Sequence, residues 1–67
     1  MIITLNNRPE TFDACELSIT EIMQHKSFQF KLLVVKLNGV LVGKNDYAST
    51  LVRDGDELLI IHLVSGG

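Results

Sequence analysis

The sequence predicts an α+β fold in which a four- to five-stranded mixed sheet packs on one helix. Three observations support this fold. A strong helix start occurs at Ser18, a two-residue hairpin signal occurs at Asn38-Gly39, and three apolar runs (residues 1–6, 30–37 and 57–64) are long enough to be strands. We expect these runs to lie side by side near the middle of the sheet, with the shorter segments at its edges.

The chain begins with a predicted hairpin. Residues 1–6 are rich in β-branched and apolar types and end at Asn6-Asn7-Arg8-Pro9, where Asn and Pro favour a turn. We expect a second strand at about residues 10–13. Pro9 suits an edge strand, because proline lacks the N–H that an inner strand donates to its neighbour.

The helix is expected to begin at Ser18. The spacing of Ser18 and Glu21 is that of a capping box, in which each side chain accepts a hydrogen bond from the other residue's backbone N–H. The apolar residues that follow have the spacing of one buried helical face: Ile19, Ile22 and Met23. The helix should fade around residues 25–27. Cys15, which precedes it, is interpreted as a small packing residue.

The second half contains another hairpin and the last strand. Asn38-Gly39 favours a type I′ turn, because both turn positions need positive φ, and it predicts a strand at residues 40–42. Asn45 or Asp46 could cap a short helical turn over residues 47–49. Asp54-Gly55-Asp56 then predicts a tight turn into the last strand.

Composition limits the class of protein. The chain has 67 residues, 46% of them hydrophobic, which favours one folded domain over a disordered segment. Its 6 basic and 8 acidic residues give a net charge of -2, which argues against nucleic acid as a partner. No apolar stretch approaches the length of about 20 residues that spans a membrane, and no basic signal region starts the chain, so we expect a cytoplasmic protein without a membrane partner.

The strand faces predict a surface for partners. The last strand alternates between Leu59, Ile61 and Leu63 on one face and Leu58, Ile60, His62 and Val64 on the other. Because the second set contains a histidine, we expect the first set to face the helix. Val34 should point outward from the neighbouring strand. An exposed apolar surface formed by Val34, Leu58, Ile60 and Val64 is therefore expected, covered by a partner or by a loop.

The chain ends in Ser65, Gly66 and Gly67. Two residues without a Cβ can thread a narrow channel, and the carbonyl carbon of Gly67 is sterically open. A carboxylate is a poor electrophile, whereas its adenylate could be attacked by sulfur, an amine or a thiol. By itself, a glycine-rich terminus is also common simply because termini tolerate change.

Taken together, these features resemble the ThiS-type sulfur carriers, which have the ubiquitin-like β-grasp fold. The resemblance rests on the capped helix, Leu37-Asn38-Gly39, Asp54-Gly55-Asp56, the apolar last strand and the terminal Ser65-Gly66-Gly67. It covers essentially the whole chain. It implies a β-grasp domain over residues 1–64 and a flexible arm over residues 65–67.

The resemblance also implies a role in thiamin biosynthesis as a carrier that is not itself an enzyme. It implies that a ThiF-type adenylyltransferase uses ATP to adenylate the Gly67 carboxylate. Sulfur from a donor such as a cysteine desulfurase would then form a thiocarboxylate, which serves thiazole synthase. Gly66 and Ser65 would give the tail access to these enzymes. No bound cofactor and no metal are expected in the carrier.

Three other functions share parts of this pattern. The small subunit of molybdopterin synthase, or another sulfur carrier, would use the same fold and the same thiocarboxylate, although molybdopterin synthase small subunits are usually longer. A ubiquitin-like protein modifier would join Gly67 to lysines of its targets after the same activation. A simple binding module would not use Gly67 at all.

Overall fold

The computed structural model describes residues 1–26 and 33–62. In chain order the elements are β1 (Ile2–Leu5), β2 (Arg8–Thr11), β3 (Glu16–Ser18), α1 (Ile19–His25), β4 (Leu33–Leu37), β5 (Val40–Val42), a 3-10 helix (Lys44–Asp46), β6 (Leu51–Arg53) and β7 (Glu57–His62).

The main sheet has five strands in the order β2-β1-β7-β4-β5. β1 and β7 run parallel, whereas the other neighbouring strands run antiparallel, so the sheet is mixed. The described strands of the three apolar runs, β1, β7 and β4, lie side by side in its middle as predicted. β2 lies at an edge, also as predicted, but it spans Arg8–Thr11 and so begins two residues before the expected residue 10. β3 and β6 form a separate two-stranded sheet that the sequence did not reveal.

Both predicted hairpins have two-residue turns. Asn6 and Asn7 have φ of 50° and 67°, and Asn38 and Gly39 have φ of 52° and 83°. The second pair confirms the type I′ prediction, and the first shows that asparagine fills both positions of the other turn. Asparagine tolerates this left-handed region better than other residues with a Cβ.

The capping box forms as predicted at the start of α1. The N–H of Glu21 donates to Ser18 Oγ at 3.1 Å, and the N–H of Ser18 donates to Glu21 Oε1 at 2.9 Å. The bond from the Ser18 N–H to the charged carboxylate, followed by the Ser18 side chain and the nearby His25, holds the pKa of Glu21 below its ordinary value. Ile19, Ile22 and Met23 are buried and turn the apolar face of the helix to the sheet.

One local prediction was incomplete and another was wrong. A 3-10 helix at Lys44–Asp46 precedes the predicted turn, which does form over residues 47–49, where the N–H groups of Ser49 and Thr50 donate to Asp46 O at 3.2 and 2.9 Å. Cys15 is exposed and does not pack into the core. It belongs to the irregular stretch between β2 and β3, in which Phe12 and Ala14 pack in or against the core while Cys15 faces the solvent.

The core lies between the main sheet and α1. Its buried apolar residues come from the inner strands, the helix, the short second sheet and Phe12: Ile3, Leu5, Phe12, Leu17, Ile19, Ile22, Met23, Val35, Val52, Leu58 and Ile60. Within the described ranges, no helix is both long enough and apolar enough to cross a membrane.

Candidate functional site

β7 is the last strand of the main sheet, and in the sequence it precedes the Ser65-Gly66-Gly67 terminus. A tight turn sets its start. Gly55 has φ of 85°, and its N–H donates to Ile2 O at 2.9 Å. The Asp54 carboxylate accepts from the N–H of Ile2 at 2.7 Å, so this turn is bonded to the first strand on both sides.

Asn38 ties the start of β7 to the β4–β5 turn. Its N–H donates to Glu57 O, and its side-chain Oδ1 accepts from the N–H of Glu57, both at 2.8 Å. Its Nδ2 also donates to Asp56 Oδ1 at 3.1 Å. The second oxygen of Asp56 accepts from the N–H of Arg53 at 2.9 Å. The Asn38 side chain thus connects the β4–β5 turn to the turn before β7, and it extends the hydrogen-bond ladder between β4 and β7.

The Asn6 side chain also bonds to β7, from the side of β1. The parallel pairing of β1 with β7 ends at Leu5 and Leu58, after which the N–H of Asn6 donates to Leu58 O at 3.0 Å. The side-chain Oδ1 of Asn6 then accepts from the N–H of Ile60 at 2.7 Å. From the sequence, Asn6 and Asn38 were expected only to form turns. Their place between a turn and an inner strand was the available signal for this second role.

The predicted faces of β7 were wrong. Leu58 and Ile60 are 0% and 3% exposed and belong to the core, whereas Ile61 is 41% exposed on the other face. The register explains this arrangement, because Leu58 lies opposite Leu37 and Ile60 lies opposite the buried Val35. His62 shares their face, but it is exposed at the end of the strand. The histidine at this position therefore did not indicate which face of β7 is exposed.

The corrected surface is an outer patch formed by Val34, Leu59 and Ile61, on the sheet face opposite α1. Val34 pairs with Ile61 across β4 and β7, and Leu59 pairs with Lys36. Val34 and Leu59 are half-buried and Ile61 is exposed. Of the predicted partner-surface residues, Val34 lies on this patch, Leu58 and Ile60 do not, and Val64 lies outside the described residues.

The predicted tail residues Ser65, Gly66 and Gly67 also lie outside the described residues. The last described residue, His62, pairs with Leu33 of β4. Because β1 has already ended at this level, β4 is the strand that accompanies the end of β7 within the described part of the sheet.

In residues 1–26 and 33–62, no group of three or more His, Cys, Asp or Glu side chains is placed to hold a metal ion. His25 instead packs against Phe12, with ring centroids 5.7 Å apart in an edge-to-face arrangement. The described geometry is that of a supported strand with an apolar outer face.

Comparison with known proteins identifies the family. The model of the ThiS family matches residues 3–67. The chain belongs to the ThiS family. A crystal structure of the thiamine biosynthesis protein ThiS from Geobacter metallireducens is 33% identical, with a TM-score of 0.87 and full coverage of both chains. An NMR structure of a thiamine biosynthesis protein from the same organism is 30% identical, with a TM-score of 0.81, and covers 100% of this chain and 88% of the other.

No curated protein sequence shows significant similarity to the chain. The ThiS match confirms the ubiquitin-like β-grasp fold and identifies the chain as a ThiS-type sulfur carrier of thiamin biosynthesis. In this fold, α1 covers one face of the mixed sheet and leaves the outer patch on the other. The last strand, which leads to Gly66 and Gly67, lies between β1 and β4.

Proposed function

We propose that the chain carries sulfur as a thiocarboxylate on Gly67 and delivers it for thiazole formation in thiamin biosynthesis. The observation that carries the proposal is the ThiS family match, which runs to residue 67 and so includes the diglycine. In this role the protein is a co-substrate of its partner enzymes. The cytoplasmic location predicted from the sequence remains a prediction.

The chemistry begins with an ATP-dependent adenylyltransferase of the ThiF type. An oxygen of the Gly67 carboxylate attacks the α-phosphorus of ATP, which forms the acyl-adenylate and releases pyrophosphate. A sulfur nucleophile from a donor such as a cysteine desulfurase then attacks the carbonyl carbon and displaces AMP. If the donor attacks as a persulfide, a thiol must reduce the resulting acyl disulfide before the thiocarboxylate is free.

The role of the fold is to present the tail at a fixed place. Asn6, Asn38 and the Asp54-Gly55-Asp56 turn hold β7 in the sheet as far as Ile60, and the predicted arm follows this strand in the sequence. When extended, the three residues of the predicted arm (65–67) span about 10 Å, so the reacting carbon can enter a partner's site while the folded domain stays outside. Glycine at positions 66 and 67 keeps this arm narrow.

The outer patch would supply the docking surface for these enzymes. It lies on the strand that leads to the tail, so a partner that covers Ile61 is already close to the residues it must accept. Replacing Ile61 by Asp should weaken binding to the adenylyltransferase in calorimetry with little effect on folding, because the side chain is already 41% exposed. Unchanged affinity would show that the enzyme binds elsewhere.

Deletion of Gly67 tests the function in cells. In a strain that lacks its own carrier, the full chain should restore growth without thiamin, and the deletion variant should not. A variant shortened by one residue has the same described fold, which circular dichroism can verify. Growth supported by the deletion variant would contradict the proposal and would favour a simple binding module.

Two further functions can be separated by their products and partners. The ThiS match favours thiazole synthase over the large subunit of molybdopterin synthase, and a pull-down against both should recover the former. A protein modifier would instead give lysine-linked adducts of the chain on gels. Such adducts in the absence of any thiocarboxylate would replace the carrier proposal.

A further inference from the structure

The two edges of the main sheet are built differently. At one edge, β2 consists of Arg8, Pro9, Glu10 and Thr11, and the Glu10 carboxylate is bound by Lys26 Nζ at 2.9 Å. At the other edge of the described sheet, β5 consists of Val40, Leu41 and Val42. Val40 and Leu41 are each 67% exposed. Natural edge strands are usually protected by charge or proline, and β5 itself has neither.

The hydrogen-bond phase shows which backbone groups of β5 face outwards. The N–H of Asn38 bonds to Glu57 on β7, and bonded and non-bonded pairs alternate along an antiparallel ladder. Two residues back, Lys36 therefore bonds to β7, while Val35 and Leu37 bond to β5. Leu41 lies opposite Lys36. Its N–H and C=O consequently point away from β4, towards the open edge.

The equivalent position on the β2 edge is occupied by proline. The N–H of Thr4 donates to Asp56 O at 2.9 Å on the β7 side, so Pro9, which lies opposite Thr4, faces the open edge of β2. Pro9 has no N–H to offer an incoming strand. The edge position that is blocked on β2 is therefore intact on β5, where Leu41 offers both a donor and an acceptor.

The chemistry around Leu41 defines what can bind there. An outward N–H and C=O pair is matched by the backbone of an extended strand, and the exposed Val40 and Leu41 favour apolar side chains on it. Lys36 lies beside Leu41 on the outer face of the sheet. Among the described residues, the ion pairs are Lys26 with Glu10 and Arg53 with Glu16, so Lys36 has no carboxylate partner there. A carboxylate on the incoming strand would supply one.

A second copy of the chain fits this edge less well. Antiparallel pairing of two β5 strands around Leu41 would bring no carboxylate to Lys36, because the incoming strand would carry only Val40, Leu41 and Val42. Each strand also has only 3 residues, and a contact between two such edges is small compared with the area of about 1,200 Å² or more that stable interfaces bury. A larger partner could instead cover the edge and the neighbouring outer patch together.

We propose that β5 is a docking edge that accepts an extended strand from a partner protein, with apolar side chains beside a carboxylate that faces Lys36. The strand adds to the sheet next to β5, and the same partner covers the outer patch. Leu41, Lys36 and Leu59 lie side by side on β5, β4 and β7, so the edge and the outer patch form one continuous surface. This docking mode does not depend on sulfur chemistry at Gly67, so the two proposals can fail separately.

The test uses the full chain labelled with ¹⁵N and a backbone-cyclised hairpin peptide whose outer strand reads Thr-Val-Glu-Val-Thr. Cyclisation lowers the cost of ordering the strand. The amide signals of Val40, Leu41 and Val42 should shift saturably, and those of Arg8 and Thr11 should not. A matched peptide with Lys in place of Glu should bind more weakly by roughly two- to fivefold, as expected for an exposed ion pair. Lys36→Glu should reverse that preference.

Leu41→Pro removes the outward N–H of β5, just as Pro9 lacks one on β2, and should abolish the peptide-induced shifts. The Leu41 N–H is not used within the sheet, so this variant should fold, and Leu41→Lys provides a second way to protect the edge. Equal shifts at both edges, or no saturable shift at β5, would overturn the proposal. If the β5 signals instead move with protein concentration in the absence of peptide, a second copy of the chain is the occupant and the proposal is wrong.

Discussion

The two ends of β7 differ in how they are held. At its start, Glu57 and Leu58 lie between β1 and β4, and the side chains of Asn6 and Asn38 bond to the strand from both sides. At its end, Ile61 is 41% exposed and β4 is the accompanying strand within the described sheet. This difference indicates that the start of the strand contributes most to stability, and it leaves the end of the strand for the docking role proposed above.

Adjacent isoleucines give the largest expected contrast. Ile60 is 3% exposed and Ile61 is 41% exposed, although the two residues are chemically identical. Ile60→Ala should lower the free energy of unfolding by about 2 to 5 kcal/mol, the usual cost of truncating a buried side chain. Ile61→Ala should change it by less than about 1 kcal/mol. Urea titration of both variants measures the difference, and similar losses at the two positions would remove the distinction between the faces.

Asn38 provides a sharper test of the held end. Asn38→Ala removes two side-chain hydrogen bonds and places alanine at φ of 52°, so we expect a loss of about 2 to 3 kcal/mol in unfolding free energy. Asn38→Gly keeps the favourable turn but removes the same bonds. It should therefore cost about 1 kcal/mol or more, which isolates the hydrogen bonds from the backbone strain. A glycine variant as stable as the parent would show that the bonds to Asp56 and Glu57 contribute nothing.

The neighbouring Asn6 and Asn7 form a matched pair for the other side of β7. Both have positive φ, so glycine suits either position, but only Asn6 bonds to Ile60 across the described sheet. Asn6→Gly should lower the unfolding free energy by about 1 kcal/mol more than Asn7→Gly does. Thermal melts compare the two variants directly. Equal melting temperatures would mean that β7 does not need the Asn6 side chain.

Glu21 gives the smallest expected effect and serves as a reference away from β7. Its pKa is lowered by bonds from Ser18, so its carboxylate stabilises the fold above the ordinary pKa of glutamate, and this contribution is lost as the pH falls through the lowered value. Glu21→Gln should remove this part of the acid dependence. Urea titrations from pH 7 down to pH 3 compare the variant with its parent, and parallel curves would exclude a role for the carboxylate.

Much of this arrangement could be predicted because local chemistry specified it. Ser18 and Glu21 predict the helix cap, Asn38-Gly39 predicts its turn, and Pro9 predicts an edge strand. These features depend on residues close together in the chain. The length of the apolar runs was also enough to predict the three middle strands, since inner strands carry the longest apolar runs, even though α1 covers only one face of this sheet.

The faces of β7 could not be predicted in the same way. Leu58, Leu59, Ile60 and Ile61 are all apolar, so alternation along the strand gave no direction. The faces follow from the register between β4 and β7, which no short turn connects. Likewise, β3 and β6 have 3 residues each, too few to show a period, and they pair across 32 or more intervening residues. Long-range pairing decided both features.

Intact-mass and fragmentation analysis tests the central claim most directly. The chain would be incubated with the ThiF-type adenylyltransferase, ATP and a sulfur source, beside a Cys15→Ser variant as a control for the exposed thiol. We expect one oxygen to be replaced by sulfur in both proteins, with the change located at Gly67. A whole sulfur atom added at Cys15, absent from the variant, or no mass change with an active enzyme would contradict the account.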